Sequence, residues 1–304
     1  MSDNREMSSL GKAAVIGLGQ MGRGIARNLD RAGRLGAAWD TNAKARQADL
    51  SAAVVLAEPS AFAALSTVIF VVPGSAEIRA ILCENGGLLG QPHQHQVLID
   101  LTTSHPAATR ELAALARATG REYVDCGMTG GAKAADAGTL TLMVGGARAV
   151  VDACRPTLAA FASNIVHVGD TGSGHTMKLI HNMICHTIFL ATSEGCRLAE
   201  RLGISLETAI AVINSGNARS FVSEKRFPDH IISRSFDGRS RTANLAKDLK
   251  MAADLARQAG QSGPYSALAA EILERAMQQG LGEQDFTTLY RHLEEVIGGE
   301  ERLA

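Results

Sequence analysis

The sequence predicts an α/β fold: a Rossmann-type, doubly wound and mostly parallel sheet over the first half, followed by an all-helical second half. Three observations predict it. Short apolar or β-branched runs alternate with helical stretches from residue 12 to about residue 168. The glycine-rich turn Gly17-Leu18-Gly19-Gln20-Met21-Gly22 stands directly after the first of those runs and directly before a helical pattern. Past residue 169 the β-type runs stop, and residues 175–202 contain no proline and a single glycine.

Taken in order, the predicted strands cover residues 13–16, 36–39, 54–56, 67–72, 96–100, 122–125, 140–144 and 165–168. The unbroken run Thr67-Val-Ile-Phe-Val-Val72 suits a parallel strand buried on both faces. Residues 106–119 form a helix that opens on Pro106, with Ser104 as the expected cap. The second half reads as helices at 175–202, 206–214, 245–259, 267–279 and 285–296. The glycine punctuation of Gly169-Asp-Thr-Gly-Ser-Gly174 places a domain boundary there, giving a dinucleotide-binding domain at 12–169 and a helical domain at 170–304.

The glycine turn has the context that a pyrophosphate cradle requires. The first glycine permits the tight strand-to-helix turn, the second lets backbone approach the phosphates, and the third lets helix pack on strand. Met21, Ile25 and Leu29 then recur at helical spacing, so the segment turns an apolar stripe to the sheet and its N-terminal N–H groups to an anion. Asp40 closes the second strand near the offset of an acid that accepts hydrogen bonds from the adenosine ribose. A carboxylate there repels a 2′-phosphate and favours NAD. The other role open to Asp40 is to cap the next helix, in competition with Thr41 and Asn42. Lys44 and Arg46 soften the preference and leave NADP possible.

Bulk properties exclude several classes. A net charge of −1 over 304 residues gives no electrostatic footprint for nucleic acid or an anionic membrane, so small molecules are the expected partners. Five scattered cysteines without a CxxC argue against a disulfide framework and a zinc site; no metal site is expected, and His93-x-His95 reads as solvated. The first ten residues have no apolar signal core, and no run reaches a membrane span, which points to the cytoplasm.

Polar groups that a core does not need fall in three places. Thr103 and its neighbours follow the strand 96–100, where hydroxyls can meet a nicotinamide or a substrate. Asp125-Cys-Gly-Met-Thr-Gly-Gly131 reads as a strand end running into a glycine turn; its N–H groups and the Thr129 hydroxyl suit a carboxylate, although a plain turn has the same spacing. Lys178 stands in the mostly apolar run Met177-Lys-Leu-Ile-His-Asn-Met-Ile184. Desolvation there lowers a lysine pKa toward that of a working acid/base, with Asn182 one turn later on the same face to orient it; snorkelling to solvent is the ordinary alternative. His181 reads as a hydrogen-bonded packing residue.

Taken together and in this order, Val15-Ile-Gly-Leu-Gly-Gln-Met-Gly22, Ile99-Asp-Leu-Thr-Thr103, Thr129-Gly-Gly131, Gly138-Thr-Leu-Thr-Leu-Met-Val-Gly-Gly146, Lys178-Leu-Ile-His-Asn182 and Leu245-Ala-Lys-Asp-Leu249 resemble the β-hydroxyacid dehydrogenases. That group contains 3-hydroxyisobutyrate dehydrogenase, tartronate semialdehyde reductase and L-threonate dehydrogenase, and the resemblance covers nearly the whole chain. It implies hydride transfer between NAD and the hydroxyl-bearing carbon of a short 3-hydroxy acid, interconverted with its oxo acid or semialdehyde. Lys178 falls on the family's catalytic lysine and Asn182 on its helical partner. Thr103 falls on a position touching cofactor and substrate, Thr129-Gly130-Gly131 on the substrate-carboxylate loop, Lys247 on a second lysine near the nicotinamide. Asp40, Thr41, Val72 and Pro73 fall on the dinucleotide border, and a homodimer or homotetramer is implied.

Two departures bear on substrate identity. The carboxylate loop has Gly127 where the family usually has proline and Thr129 where it has serine. Arg219, in Asn217-Ala-Arg-Ser-Phe221, is a candidate second anionic anchor, an exposed arginine being the ordinary outcome. Two other readings stand beside this one. The spacing of Lys178, His181 and Asn182 also fits a 6-phosphogluconate dehydrogenase, without that group's large helical extension. A dinucleotide-binding assembly protein without catalysis is the alternative from another class.

Overall fold

The computed structural model describes residues 10–45, 49–51, 54–84 and 86–298. The stretch 1–9 and Arg46, which entered the readings of localisation and cofactor choice, lie outside the described residues. The chain divides into two compact units, Met1–Lys178 and Leu179–Ala304.

The first unit is built on one sheet of eight strands: β1 (Ala13–Ile16), β2 (Leu35–Trp39), β3 (Val55–Leu56), β4 (Thr67–Phe70), β5 (Val97–Asp100), β6 (Glu122–Thr129), β7 (Leu140–Gly145) and β8 (Ala162–Gly169). Their spatial order is β3-β2-β1-β4-β5-β6-β7-β8. All neighbours are parallel except β6 and β7, which run antiparallel with Cys126 opposite Val144 and Thr129 opposite Thr141. The order reverses between β1 and β4, so their C-terminal ends open the crevice in which doubly wound sheets bind ligands. Side chains alternate between two cores. Ala13, Val15, Ile69, Ile99 and Val124 enter one, while Ala14, Ile16, Val68, Phe70 and Leu98 enter the other. Burial on both faces is why these strands read as continuous apolar runs.

The helices of this unit are α1 (Gly22–Arg31), α2 (Ser75–Cys83), α3 (Pro106–Ala118), α4 (Gly131–Ala137) and α5 (Arg148–Leu158), and α6 (Ser173–Arg201) begins in it. The second unit contains the rest of α6, α7 (Leu206–Ser215), a π-helical segment Val222–Ile232, α8 (Thr242–Gln258), α9 (Pro264–Gln278) and α10 (Leu289–Ile297). Its core is aromatic at the centre: the Phe189 ring lies 6.4 Å from Phe227 and 5.2 Å from Phe286, and Phe227 packs edge-on to Tyr290 at 5.5 Å. Sequence periodicity missed the π-helical segment because Pro228 lies inside it and its hydrogen bonds do not follow the 3.6-residue repeat.

Three sequence readings are corrected. β4 ends at Phe70 rather than residue 72, because Gly17 packs against the Val71 carbonyl where the strand leaves the sheet. The stretch 126–129, read as turn, is strand, since β7 returns antiparallel and pairs with it; the turn begins only at Gly130. Ser104 does not cap α3. His105 does, its Nδ1 accepting the Ala107 N–H at 3.2 Å, while the Ser104 side chain is buried.

Arg121 is buried without a carboxylate partner. Its Nε donates to Gln96 Oε1 at 2.8 Å, and Nη2 donates to the Leu88 and Gln91 carbonyls, each at 2.8 Å. Gln96 in turn donates to the Phe62 and Leu65 carbonyls, so one guanidinium satisfies loops on both sides of β5. Arg121→Met strands several buried acceptors, and a loss of about 3 kcal/mol is expected, read as a lower urea midpoint with an unchanged slope. An unchanged midpoint contradicts this account.

Candidate active site

At the crevice, the glycine turn has the shape that a dinucleotide requires. A Cβ at Gly17 would strike the Val71 carbonyl and one at Gly22 would strike the Gly17 carbonyl, whereas nothing lies within 4 Å of a Cβ placed on Gly19. The first and third glycines therefore close the turn, and the second faces open space. No side chain caps the N-terminus of α1. Asp40 touches the turn directly: its Oδ2 accepts the Leu18 N–H at 2.6 Å, and its Oδ1 accepts the Asn42 N–H at 2.7 Å. One carboxylate thus fixes the turn that follows it and the glycine loop beside it. Val72 lies 3.3 Å from the Cβ position of Gly17, with exposed Pro73 after it, so the ends of β1 and β4 converge. Gln20 and Met21 complete the loop, and Thr41 is exposed at its rim. The open space at Gly19, at the N-terminus of α1, fits the close approach of a dinucleotide.

One side of the sheet further on, β5, β6 and the start of α6 share a buried polar layer. Asp100 Oδ1 accepts the Thr102 N–H at 2.8 Å and Oδ2 accepts the Tyr123 hydroxyl at 2.8 Å. His175 is fully buried, its Nδ1 at 2.7 Å from Thr109 Oγ1 and its Nε2 at 3.3 Å from the Asp100 carbonyl oxygen. Burial raises the Asp100 pKa above the ordinary carboxylate value; His175, the Thr102 N–H and the Tyr123 hydroxyl oppose the shift without cancelling it. The same burial, with Asp100 beside it, pushes the Tyr123 hydroxyl well up. Thr103, half-buried, follows this layer. Asp125 accepts the N–H groups of Gly172 at 2.7 Å and His175 at 2.8 Å, and Lys178 follows on the next turn of α6, half-buried. A Cβ on Gly127 would lie 2.5 Å from the Lys178 Cβ, so the lysine sits directly on β6, two residues before Thr129. Gly130 and Gly131 then have φ of 116° and 68°, a left-handed pair that admits only glycine without strain.

Within the helical unit, Asn182 is buried and donates to Asp248 Oδ2 at 2.6 Å, while Lys247 Nζ lies 3.3 Å from Asp248 Oδ1. His181 Nδ1 lies 3.2 Å from Asn182 Oδ1, the packing role read from the sequence. Asp248 is the residue that sequence reasoning passed over; its place beside Lys247 was the available signal. Arg219 is exposed and 3.6 Å from Glu224. His93, read as solvated, instead places Nε2 2.7 Å from the Thr119 carbonyl. Among the described residues no helix is long and apolar enough to cross a membrane.

A doubly wound sheet with this cradle at its switch point defines an NAD-binding domain, and comparison with known proteins makes the class an NAD(P)-dependent dehydrogenase acting on a hydroxyl group. A family model described as the NAD-binding domain of 6-phosphogluconate dehydrogenase matches residues 12–169, and one described as the NAD-binding of NADP-dependent 3-hydroxyisobutyrate dehydrogenase matches residues 172–293. The 2-(hydroxymethyl)glutarate dehydrogenase of Eubacterium barkeri is 30% identical over 293 residues, covering 94% of this chain and 96% of its own. An NAD-dependent L-serine dehydrogenase of Pseudomonas aeruginosa is 28% identical, covering 91% and 96%. The solved structure of Mycobacterium tuberculosis 3-hydroxyisobutyrate dehydrogenase with L-serine superposes with a TM-score of 0.83 at 29% identity, covering 93% of this chain and 99% of that one. The chain belongs to the β-hydroxyacid dehydrogenase family. Its cofactor is NAD, with NADP-dependent relatives in the same family.

The buried layer predicts a pH signature. Below the ordinary carboxylate range Asp100 is protonated whether the chain is folded or not. As pH rises through that range the unfolded chain releases the proton and the folded chain holds it, so folded-state stability falls until the raised pKa is passed. Asp100→Asn cannot ionise. Its melting temperature relative to the parent is expected to rise as pH increases above about 4, the ordinary carboxylate value. A difference that stays flat above that value, in thermal scans at four or five pH values, refutes the reading.

Proposed function

We propose that the protein interconverts a small 3-hydroxy acid and its semialdehyde or oxo acid, with Lys178 as general acid/base. The observation that carries this reading is the seating of Lys178 on β6 at Gly127, two residues from Thr129 and the left-handed pair Gly130-Gly131. A proton-transfer group and a carboxylate-binding turn are thereby held by one strand. The substrates named for the relatives, 3-hydroxyisobutyrate, L-serine and 2-(hydroxymethyl)glutarate, share a hydroxymethyl group on the carbon that bears a carboxylate. A short 3-hydroxy acid, with a primary 3-hydroxyl as in 3-hydroxyisobutyrate or glycerate or a secondary one as in threonate, presents its carboxylate to Thr129, Gly130 and Gly131 and its hydroxyl to Lys178.

NAD, when bound, takes up the hydride in oxidation and NADH returns it in reduction. Lys178 Nζ accepts the hydroxyl proton in oxidation and gives it back to the carbonyl oxygen in reduction, which requires a neutral amine in one direction and an ammonium in the other. Thr103, at the end of β5, serves cofactor and substrate, and Asp40 and Thr41 hold the adenosine ribose. By the family resemblance Asn182, held by Asp248, is assigned to the substrate, Lys247 to the cofactor, and Arg219 to a second anionic contact. The helical region 170–304 is also the proposed seat of a homodimer or homotetramer.

Lys178→Ala is expected to lower kcat by about 10²- to 10⁴-fold, with NADH affinity retained by fluorescence titration. Equal turnover of parent and variant across a panel of 3-hydroxy acids sinks the mechanism. Asp40→Asn removes the charge but keeps an oxygen for the Leu18 N–H. The ratio of kcat/KM with NADP to that with NAD is expected to rise about tenfold. No change in the ratio assigns cofactor choice elsewhere.

A further inference from the structure

We infer that Asp125 is a positioning residue for Lys178, acting through the first turn of α6; the inference rests on the acid/base reading of Lys178. Both Asp125 carboxylate oxygens are committed to this turn, Oδ1 to the Gly172 N–H at 2.7 Å and Oδ2 to the His175 N–H at 2.8 Å. Asp125 is completely buried, so no water competes for those bonds. The first turn of a helix has N–H groups with no partner inside the helix, and a carboxylate placed there fixes both the position of the turn and its rotation about the axis. Lys178 lies three residues beyond His175, so a change in that rotation swings the ammonium with it.

Three glycines make the contact close. Asp125 pairs with Gly145 across β6 and β7. A Cβ on Gly145 would fall 2.6 Å from Asp125 Oδ1 and 2.7 Å from the Gly174 nitrogen. A Cβ on Gly174 would strike the Asp125 carbonyl and lie 2.6 Å from the Met143 carbonyl oxygen. Gly127 does the same against Lys178 itself, 2.5 Å from its Cβ. Around Gly174 and Lys178 the helix therefore rests closely on the β6–β7 ribbon, with the Asp125 carboxylate bonded between them. A structural cap alone needs no such clearance along a further turn to the lysine.

The test is a double-mutant cycle on the full-length protein. Parent, Asp125→Asn, Lys178→Ala and the double variant are assayed with NAD and the 3-hydroxy acid that the parent turns over best, alongside NADH titration and thermal melting. Asp125→Asn keeps shape but turns an N–H toward a backbone N–H. It is expected to lower kcat about tenfold or more, to leave NADH affinity within about twofold, and to add nothing to the loss caused by Lys178→Ala. An unchanged kcat in Asp125→Asn, or the same fold-loss in both backgrounds, overturns the positioning role while leaving Lys178 as the acid/base. An active Lys178→Ala variant overturns the acid/base reading and this inference with it. If Asp125→Asn does not fold, Gly127→Ala keeps the carboxylate and lifts the helix at Lys178. The same dependence on Lys178 is expected of it, and additivity counts against the inference in the same way.

Discussion

The constraint on which the first unit depends is the close seating of the α6 N-terminus on the sheet. A helix normally packs on a sheet through two layers of side chains. Here Gly127, Gly145 and Gly174 remove those layers, and the Asp125 carboxylate fills what remains. The antiparallel return of β7 serves this contact, because it brings Gly145 beside Asp125 and extends β6 as a paired strand to Thr129. The same extension carries the hydroxyl of Thr129 and the left-handed glycines past the level of the other strand ends, where a ligand can reach them.

The polar layer behind this contact is costly unless it is complete. Asp100, Tyr123, Thr109 and His175 are all buried, and each bond among them is worth about 1 kcal/mol net, whereas an orphaned partner costs about 1–3 kcal/mol. The asymmetry means that the layer specifies one arrangement of β5, β6, α3 and α6 more than it adds stability. Its elements come from positions 100, 109, 123 and 175, so it ties the start of α6 to strands far from it in sequence.

The glycine turn and its neighbour Asp40 are legible in the sequence because they are local. Gly17, Gly19 and Gly22 lie within six residues, and Asp40 closes the next strand, so spacing alone placed them before the structure put Leu18 N–H on Asp40. Strand positions were legible for the same reason, as burial on both faces leaves an unbroken apolar run. What escaped was set by partners distant in sequence. Residues 126–129 carry two turn-like features, a glycine and a following Gly-Gly, and only the antiparallel β7 makes them strand. Ser104 was the better cap by residue type, but His105 holds the position with the extended backbone that a cap needs. Asp248 has one sequence signal, its place beside Lys247, but its bond to Asn182, 66 positions away, is visible only in the fold.

The two halves of the site are not independent of each other. Asn28, on the helix that follows the glycine turn, donates to the Ala135 and Asp136 carbonyls at 2.8 and 3.3 Å, the last turn of the short helix that begins at Gly131. The helix that follows the glycine turn is thus stitched to the end of the segment that starts with Thr129-Gly130-Gly131, while the start of that segment is held by β7 and lies beside Lys178. Cofactor loop, carboxylate turn and lysine are therefore connected through backbone hydrogen-bond acceptors rather than through interchangeable side-chain packing. On the proposed reading, such a frame tolerates changes in the side chains that select the hydroxy acid without moving Lys178. Gly127 is the exception, because it is both part of the frame and part of the carboxylate loop. A side chain there cannot alter selectivity without also displacing Lys178, which makes selectivity and rate inseparable at that position.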